Sequence, residues 1–161
     1  MKFEIEHKNK LYDCEWIEDI NLDKIKELTQ ASGFIFDESG KLCIINATKD
    51  QSWCIPGGRI EEIDETPLTA FIRETIEEAD LELKDIQQLG VFKTIPKDNP
   101  KDVRHSVRFV ARVAKINPQT IDPAHGIIPK RKFIDPSEFA NYVKWGENGI
   151  FQLKKALEKL K

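Results

Sequence analysis

A chain of 161 residues with 25 Lys+Arg against 28 Asp+Glu carries a formal net charge of −3, and its length suits one domain. Hydrophobic residues make up 40% and aromatics 9%, enough apolar material for a core, which excludes disorder as the general state. No apolar run approaches the ~20 residues that cross a bilayer, and the mildly acidic balance excludes a global attraction to nucleic acid or anionic membrane.

In chain order, residues 2–6 and 11–17 alternate apolar and polar around Lys8-Asn9-Lys10 and predict a hairpin. Asn21 or Asp23 can cap a short helix through Leu28, with Leu22, Ile25 and Leu28 on one face. Gly33 to Phe36 and Leu42 to Ile45 flank the turn Asp37-Glu38-Ser39-Gly40 and predict a second hairpin. Trp53 to Gly58 reads as a strand end entering a tight turn. Thr66-Pro67 is an N-cap followed by Pro at the first helical position, and the helix runs to Ala79. Strands follow over Leu89–Ile95, His105–Ile116 and Lys130–Ile134, then helices over Pro136–Tyr142 and Ile150–Leu160. Polar loops cover 96–103 and 117–126. This mixture predicts an α/β (α+β) layered fold. Met1-Lys2-Phe3-Glu4 is not an apolar leader. Cys14, Cys43 and Cys54 show no C-x-x-C or zinc spacing and read as ordinary thiols of a reducing compartment, so a cytoplasmic location is expected.

The helix from Leu68 to Ala79 carries the chemistry. Leu68, Phe71, Ile72, Thr75, Ile76 and Ala79 fall on one stripe, which predicts the buried face. Glu74, Glu77 and Glu78 converge at i,i+3 and i,i+4 beside Arg73. Taken alone, they are a solvated charged face. The alternative is a set of hard oxygen ligands for Mg²⁺, or Mn²⁺ in its place. Pro56-Gly57-Gly58 just upstream favours the second reading, because glycine lets backbone come close to a metal or phosphate.

Gly57-Gly58-Arg59-Ile60-Glu61, Glu65-Thr66-Pro67, Ala70, Arg73-Glu74-Thr75-Ile76-Glu77-Glu78 and Leu81 together resemble the box of the Nudix hydrolase family, of MutT-like and ADP-ribose pyrophosphatase-like members. The likeness extends over about residues 30–135. It implies a Nudix-type α/β/α sandwich with a mixed β-sheet. The expected organisation is one domain over 1–161: an N-terminal hairpin and short helix (1–30), a core (31–135) and C-terminal helices (136–161). The departures are specific. Six residues, not five, separate Gly58 from Glu65; Asp64 stands where a small residue is usual; Asp80 replaces a glycine; Thr75 replaces a bulky aliphatic. No Glu lies between Glu82 and Glu138 to serve as a downstream base or ligand, which leaves Asp98, Asp102, Asp122, His105 and His125 as substitutes.

The resemblance implies Mg²⁺-dependent cleavage of the pyrophosphate linkage of a nucleoside diphosphate derivative. Metal ligands are expected to be Glu77 and Glu78, with Glu74 as ligand or base and Gly58 offering backbone. Arg73 is expected to hold the carboxylates and Glu65 to buttress Arg73. Substrate contacts are expected from Gly57, Gly58, Trp53, Asp98 and His105. Trp53 also reads as core packing, and His105 as a neutral structural histidine. Lys130-Arg131-Lys132 fits either a phosphate contact or a solvated strand end. Pro96-Lys97-Asp98-Asn99-Pro100 is a turn that resembles the loop of relatives acting on ADP-ribose-like compounds, which favours such a substrate. The alternatives are (d)NTP hydrolysis of the house-cleaning type and a non-catalytic nucleotide-binding module. The implied partner is a small nucleotide, not nucleic acid or membrane, and the terminal segments could form a homodimer contact.

Overall fold

A computed structural model of the chain describes residues 1–47 and 52–161. Eight strands are formed: β1 (Lys2–His7), β2 (Lys10–Ile17), β3 (Leu28–Phe36), β4 (Leu42–Asn46), β5 (Gly57–Arg59), β6 (Leu81–Pro96), β7 (Arg104–Ile116) and β8 (Lys130–Ile134). Three α-helices accompany them: α1 (Pro67–Ala79), α2 (Phe139–Tyr142) and α3 (Gly146–Lys159). The sheet order is β1-β2-β6-β7-β3-β4-β8, with β5 paired to β3. The β3–β7 pair is parallel and the other pairs are antiparallel. The sheet is therefore mixed, and the chain has the expected α/β layering.

Alternation along the strands decides which helix covers which face. Ala31, Ile35, Val107, Phe109 and Ala111 pack with Ala70, Phe71 and Ala79 of α1. Phe34, Phe36 and Val110 point the other way and pack with Phe139 of α2 and Leu153 and Ala156 of α3. The Phe71 ring stacks on Phe109 with centroids 5.2 Å apart, which seats α1 on the sheet. The N-terminal hairpin extends the same sheet, through β2 residues Tyr12 to Ile17 paired with Pro96 to Val91 of β6.

Several boundaries differ from those read in the sequence. Asn21 does cap, but only a 3₁₀ turn over Leu22–Lys24. Ile25 is already extended, and β3 starts at Leu28 rather than Gly33. A helix that short never repays its nucleation, and Leu22, Ile25 and Leu28 reach the core rim from irregular chain instead. β6 begins at Leu81 rather than Leu89. Register shifts at Glu82/Leu83, Lys84/Gln87 and Gln88/Gly90 disrupt the period-two pattern that would have revealed it. α3 begins one turn before Ile150. Within its first turn Asn148 is polar yet buried, because it accepts a hydrogen bond from Gln152 at 2.8 Å and Gln152 in turn accepts one from Arg108 at 2.9 Å.

Asp80 ends α1 in the left-handed conformation, φ 51° and ψ 46°, where the family's glycine would sit. The aspartate offsets its strain with two hydrogen bonds that glycine cannot make. Its carboxylate accepts from the Thr120 backbone N–H and hydroxyl, both at 2.8 Å. Arg131 donates to the carbonyls of Ala79 and Asn117, satisfying the C-terminal end of α1. Arg131 is thus engaged in tying loop 117–129 to the helix end, and Lys132 bonds the Tyr142 hydroxyl at 2.8 Å. No helix among the described residues is long and apolar enough to cross a membrane.

Candidate active site

β3 changes partner along its length. Gln30, Ala31 and Ser32 pair with Arg59, Gly58 and Gly57 of β5, whereas Phe36 pairs with Leu42 of β4. The site lies where α1 crosses the β5 stretch. Thr66 caps α1 reciprocally with Thr69, and Pro67 opens it, which fixes where the helix starts.

The buried face of α1 is not the expected stripe. Leu68 and Ile76 are exposed at 39% and 49%, while Glu74 and Glu78 are buried along with Phe71, Thr75 and Ala79. The helix is turned so that two carboxylates face the glycine strand. The Gly57 N–H donates to Glu78 Oε2 at 2.9 Å. The Glu74 carboxyl lies where a side chain on Gly58 would begin, with its atoms 2.5–2.7 Å from that Cβ position. Gly57 itself has φ 145°, and a Cβ there would sit 2.2 Å from the Ser32 Cβ. Two glycines in succession are needed, one for the backbone and one for the carboxylate.

Arg73 organises the cluster. Its Nη1 donates to Glu74 Oε1 at 2.9 Å and to Glu77 Oε2 at 3.1 Å, and its Nη2 donates to the Arg59 carbonyl at 3.1 Å. Asp64 grips the other side of the guanidinium, accepting from Nε and Nη2 at 2.9 Å each. This bidentate pair holds the Asp64 carboxyl below the usual carboxylate range, mainly through the Arg73 hydrogen bonds. Glu65, expected in that role, is exposed instead. The spacing explains the exchange. Counting five residues from Gly58 lands on Asp64, so the extra residue falls between this acid and Arg73, not between the glycine and the acid. Asp64→Ala is expected to lower turnover about 10- to 100-fold with a modest drop in melting temperature, and Glu65→Ala to leave both nearly unchanged. Steady-state kinetics and thermal melts check this, and equal effects of the two variants would sink the assignment.

The electrostatics suit a cation. Burial pushes the Glu74 carboxyl up, opposed by Arg73. Burial pushes Glu78 up to about 8, helped by the charges of Glu74, Asp122 and Glu77 and opposed by the Gly57 N–H. Asp122 reaches this neighbourhood from loop 117–129, buried at 1% exposure, and bonds His125 Nδ1 at 2.7 Å. No three described His, Cys, Asp or Glu side chains are already closed around one point; Arg73 and Gly57 hold the box carboxylates in place. The donors fit a hard divalent ion: several carboxylates crowded together, two of them destabilised as anions, against glycine backbone that leaves the space open.

The other residues singled out in the sequence are more distant in role. Trp53 is half-buried and meets Tyr142 edge-on, with centroids 5.8 Å apart, in the cluster under α2. Asp98 pairs with Lys10 at 2.9 Å on the surface. His105 is half-buried, and its Nδ1 finds no hydrogen-bond partner among the described residues. The Asp64 contact had a faint sequence signal in its spacing of five residues after Gly58.

Carboxylates on a capped helix, an arginine that orders them and a glycine strand beneath make up this site. The NUDIX domain family model matches residues 27–154, and the chain belongs to the Nudix family. A MutT-like protein of Streptomyces ambofaciens is 36% identical over 62 residues, which is 38% of this chain and 40% of that protein's length. The fold is similar to that of the Bacillus subtilis pyrophosphohydrolase BsRppH (TM-score 0.75, 18% identity, covering 98% of this chain and 97% of that one). It is also similar to the NUDIX domain of Shewanella oneidensis NrtR in complex with ADP ribose (TM-score 0.64, 16% identity, covering 89% and 95%).

Proposed function

We propose that the chain is a Mg²⁺-dependent hydrolase of the pyrophosphate linkage in ADP-ribose or a similar nucleoside diphosphate derivative. The observation that carries this reading is that Glu74 and Glu78 face the Gly57–Gly58 strand while one Asp64-anchored arginine holds Glu74 and Glu77. Glu77 and Glu78 would hold the cation, with Glu74 as a further ligand or as base and the Gly58 backbone beside them. Mg²⁺, with Mn²⁺ as a substitute, supplies the positive charge that stabilises the oxygens of a pyrophosphate under attack by water. Arg73 keeps Glu74 and Glu77 in position and is itself held by Asp64. The Gly57 N–H orients Glu78. Water adds to one phosphorus, the bond to the bridging oxygen breaks, and the departing phosphate keeps that electron pair; the water's proton passes to a neighbouring carboxylate. Glu74 or Asp122 would take it, a role supported by the nearness of both charges to Glu78.

The ADP-ribose preference is supported by the likeness to a NUDIX domain solved in complex with ADP ribose. Product chromatography tests it with millimolar Mg²⁺ and a panel of ADP-ribose, nucleotide sugars, dinucleoside polyphosphates and (d)NTPs. AMP and ribose 5-phosphate from ADP-ribose are expected. Pyrophosphate released from a (d)NTP, with ADP-ribose untouched, would overturn the substrate reading.

A further inference from the structure

A cavity of about 620 Å³ opens on the sheet beside the box, a volume typical of small-molecule sites. Its position follows from strand register. Ile5 pairs with Tyr12, Tyr12 with Pro96, Thr94 with Arg104, Ser106 with Gln30, and Gln30 with Arg59. Paired residues share a face, and with a step of two residues along β6 (Pro96 to Thr94) and two along β7 (Arg104 to Ser106) an oblique row crosses that face from the N-terminal hairpin to the strand that carries the box glycines. The Phe34 and Val110 side chains share that face, which α3 covers further along. Around the row the cavity is left open.

The lining has a consistent chemistry. Arg59, Arg104 and His7 bring cationic or basic groups, Tyr12, Gln30 and Ser106 bring hydroxyls and an amide, and Ile5 brings apolar surface. No Asp or Glu among the described residues lines it, although the chain has more acids than bases. Ser106 donates to Gln30 at 3.2 Å, which orients that amide. Arg104 is held from below by Asp102 through two hydrogen bonds. Arg59 joins the cavity to the box directly: its carbonyl accepts from Arg73, while its side chain lies on the cavity.

We propose that this cavity seats the part of the substrate beyond the scissile linkage, a phosphorylated ribosyl unit with its phosphate toward Arg59 and Arg104 and its ring against Tyr12. This rests on the pyrophosphohydrolase reading and deepens it. Four strand-to-strand steps and a four-residue offset along the strands separate Arg59 on β5 from Tyr12 on β2, roughly 19 Å across the sheet at ~4.8 Å per step and ~13 Å along it. A mononucleotide held by its phosphates at the box leaves the hairpin end of this row unfilled. A substrate with a second ribosyl unit, whether the terminal ribose of ADP-ribose or the second nucleoside of a dinucleoside polyphosphate, extends into it. The hairpin wall, Ile5, His7 and Tyr12, precedes the segment matched by the family model, which starts at residue 27. Selectivity is thus assigned to an element outside the matched domain.

The test uses the full chain with Tyr12→Leu and Arg104→Gln, separately and together, after melting curves show that each is folded. KM and kcat are measured with Mg²⁺ for ADP-ribose, diadenosine tetraphosphate and ATP, and equilibrium binding of ADP-ribose is measured by calorimetry without metal. The expected result is a KM increase for the two-unit substrates that exceeds that for ATP at least tenfold, carried on KM rather than kcat, with ADP-ribose binding weakened in parallel. If ADP-ribose rises and diadenosine tetraphosphate does not, the unit is a terminal ribose; the converse marks a second nucleoside. A KM change within twofold for both, or an equal change for ATP, overturns the cavity assignment. Should the wild type turn over nothing while the variants still weaken ADP-ribose binding, the hydrolase reading fails and the cavity assignment survives. Unaltered binding in that case removes both.

Discussion

Gly58→Ala is expected to cost at least about 100-fold in turnover while the melting temperature moves by only a few degrees. The backbone at Gly58 lies outside the left-handed region, and the three atoms nearest the added methyl would all be those of the Glu74 carboxyl, at 2.5–2.7 Å. A flexible side chain can yield, so the fold is spared, but Glu74 then leaves its place beside Arg73 and Glu77. Loss of one fixed charged group from a preorganised polyphosphate site is worth a factor of 10² to 10³. Gly57→Ala provides the contrast. There φ is 145°, and the new Cβ would lie 2.2 Å from the Ser32 Cβ and 2.4 Å from the Ala31 carbonyl oxygen. Backbone cannot yield as a side chain does, and the expected loss is about 3 kcal/mol or more of stability. Kinetics and melting curves on the two variants separate a functional glycine from a structural one; comparable destabilisation of both would contradict the geometry.

The second large effect concerns Glu78 and pH. Its carboxyl is pushed up to about 8 in the folded protein, chiefly by burial, from the ordinary glutamate value of 4.5. Between those two values the folded state holds a proton that the unfolded state has released. Stability of the metal-free protein therefore falls as pH rises through that interval, by an amount on the order of a few kcal/mol. Glu78→Gln keeps the neutral shape and an oxygen for the Gly57 N–H, so its stability is expected to stay flat over the same range and exceed that of the wild type near pH 8. Divalent metal should flatten the wild-type curve as well, by favouring the carboxylate. Denaturant titrations from pH 5 to 9 check the sign: wild-type stability that rises with pH, or a variant that tracks it, would contradict the buried acid.

The extent to which the sequence revealed the molecule depended on whether a signal was local. The α1 boundaries were legible because Thr66-Pro67 and the change of pattern at Asp80 are local marks. The first hairpin was legible for the same reason, through its alternation and turn residues. β6 was half hidden, because its bulges reset the period within a few residues of one another. The face of α1 was misjudged because apolar periodicity assumes that carboxylates seek water. Here β5 offers a backbone donor and two missing side chains, and Glu74 and Glu78 turn inward while Leu68 and Ile76 stay exposed. Whether Arg73 is held by Asp64 or Glu65 could not be read from motif spacing alone, since one inserted residue can be absorbed on either side of the acid. The cavity row was invisible for a different reason: it joins residues up to about a hundred positions apart that only strand register brings side by side.

The centre described here is tested most directly by the initial rate of ADP-ribose cleavage with Mg²⁺ titrated into wild type and Glu78→Gln. Mg²⁺-dependent release of AMP by the wild type, reduced at least about 100-fold in the folded variant, is the expected result. Cleavage that proceeds equally in both, or that ignores Mg²⁺, would contradict the assignment of the box carboxylates as the reacting centre.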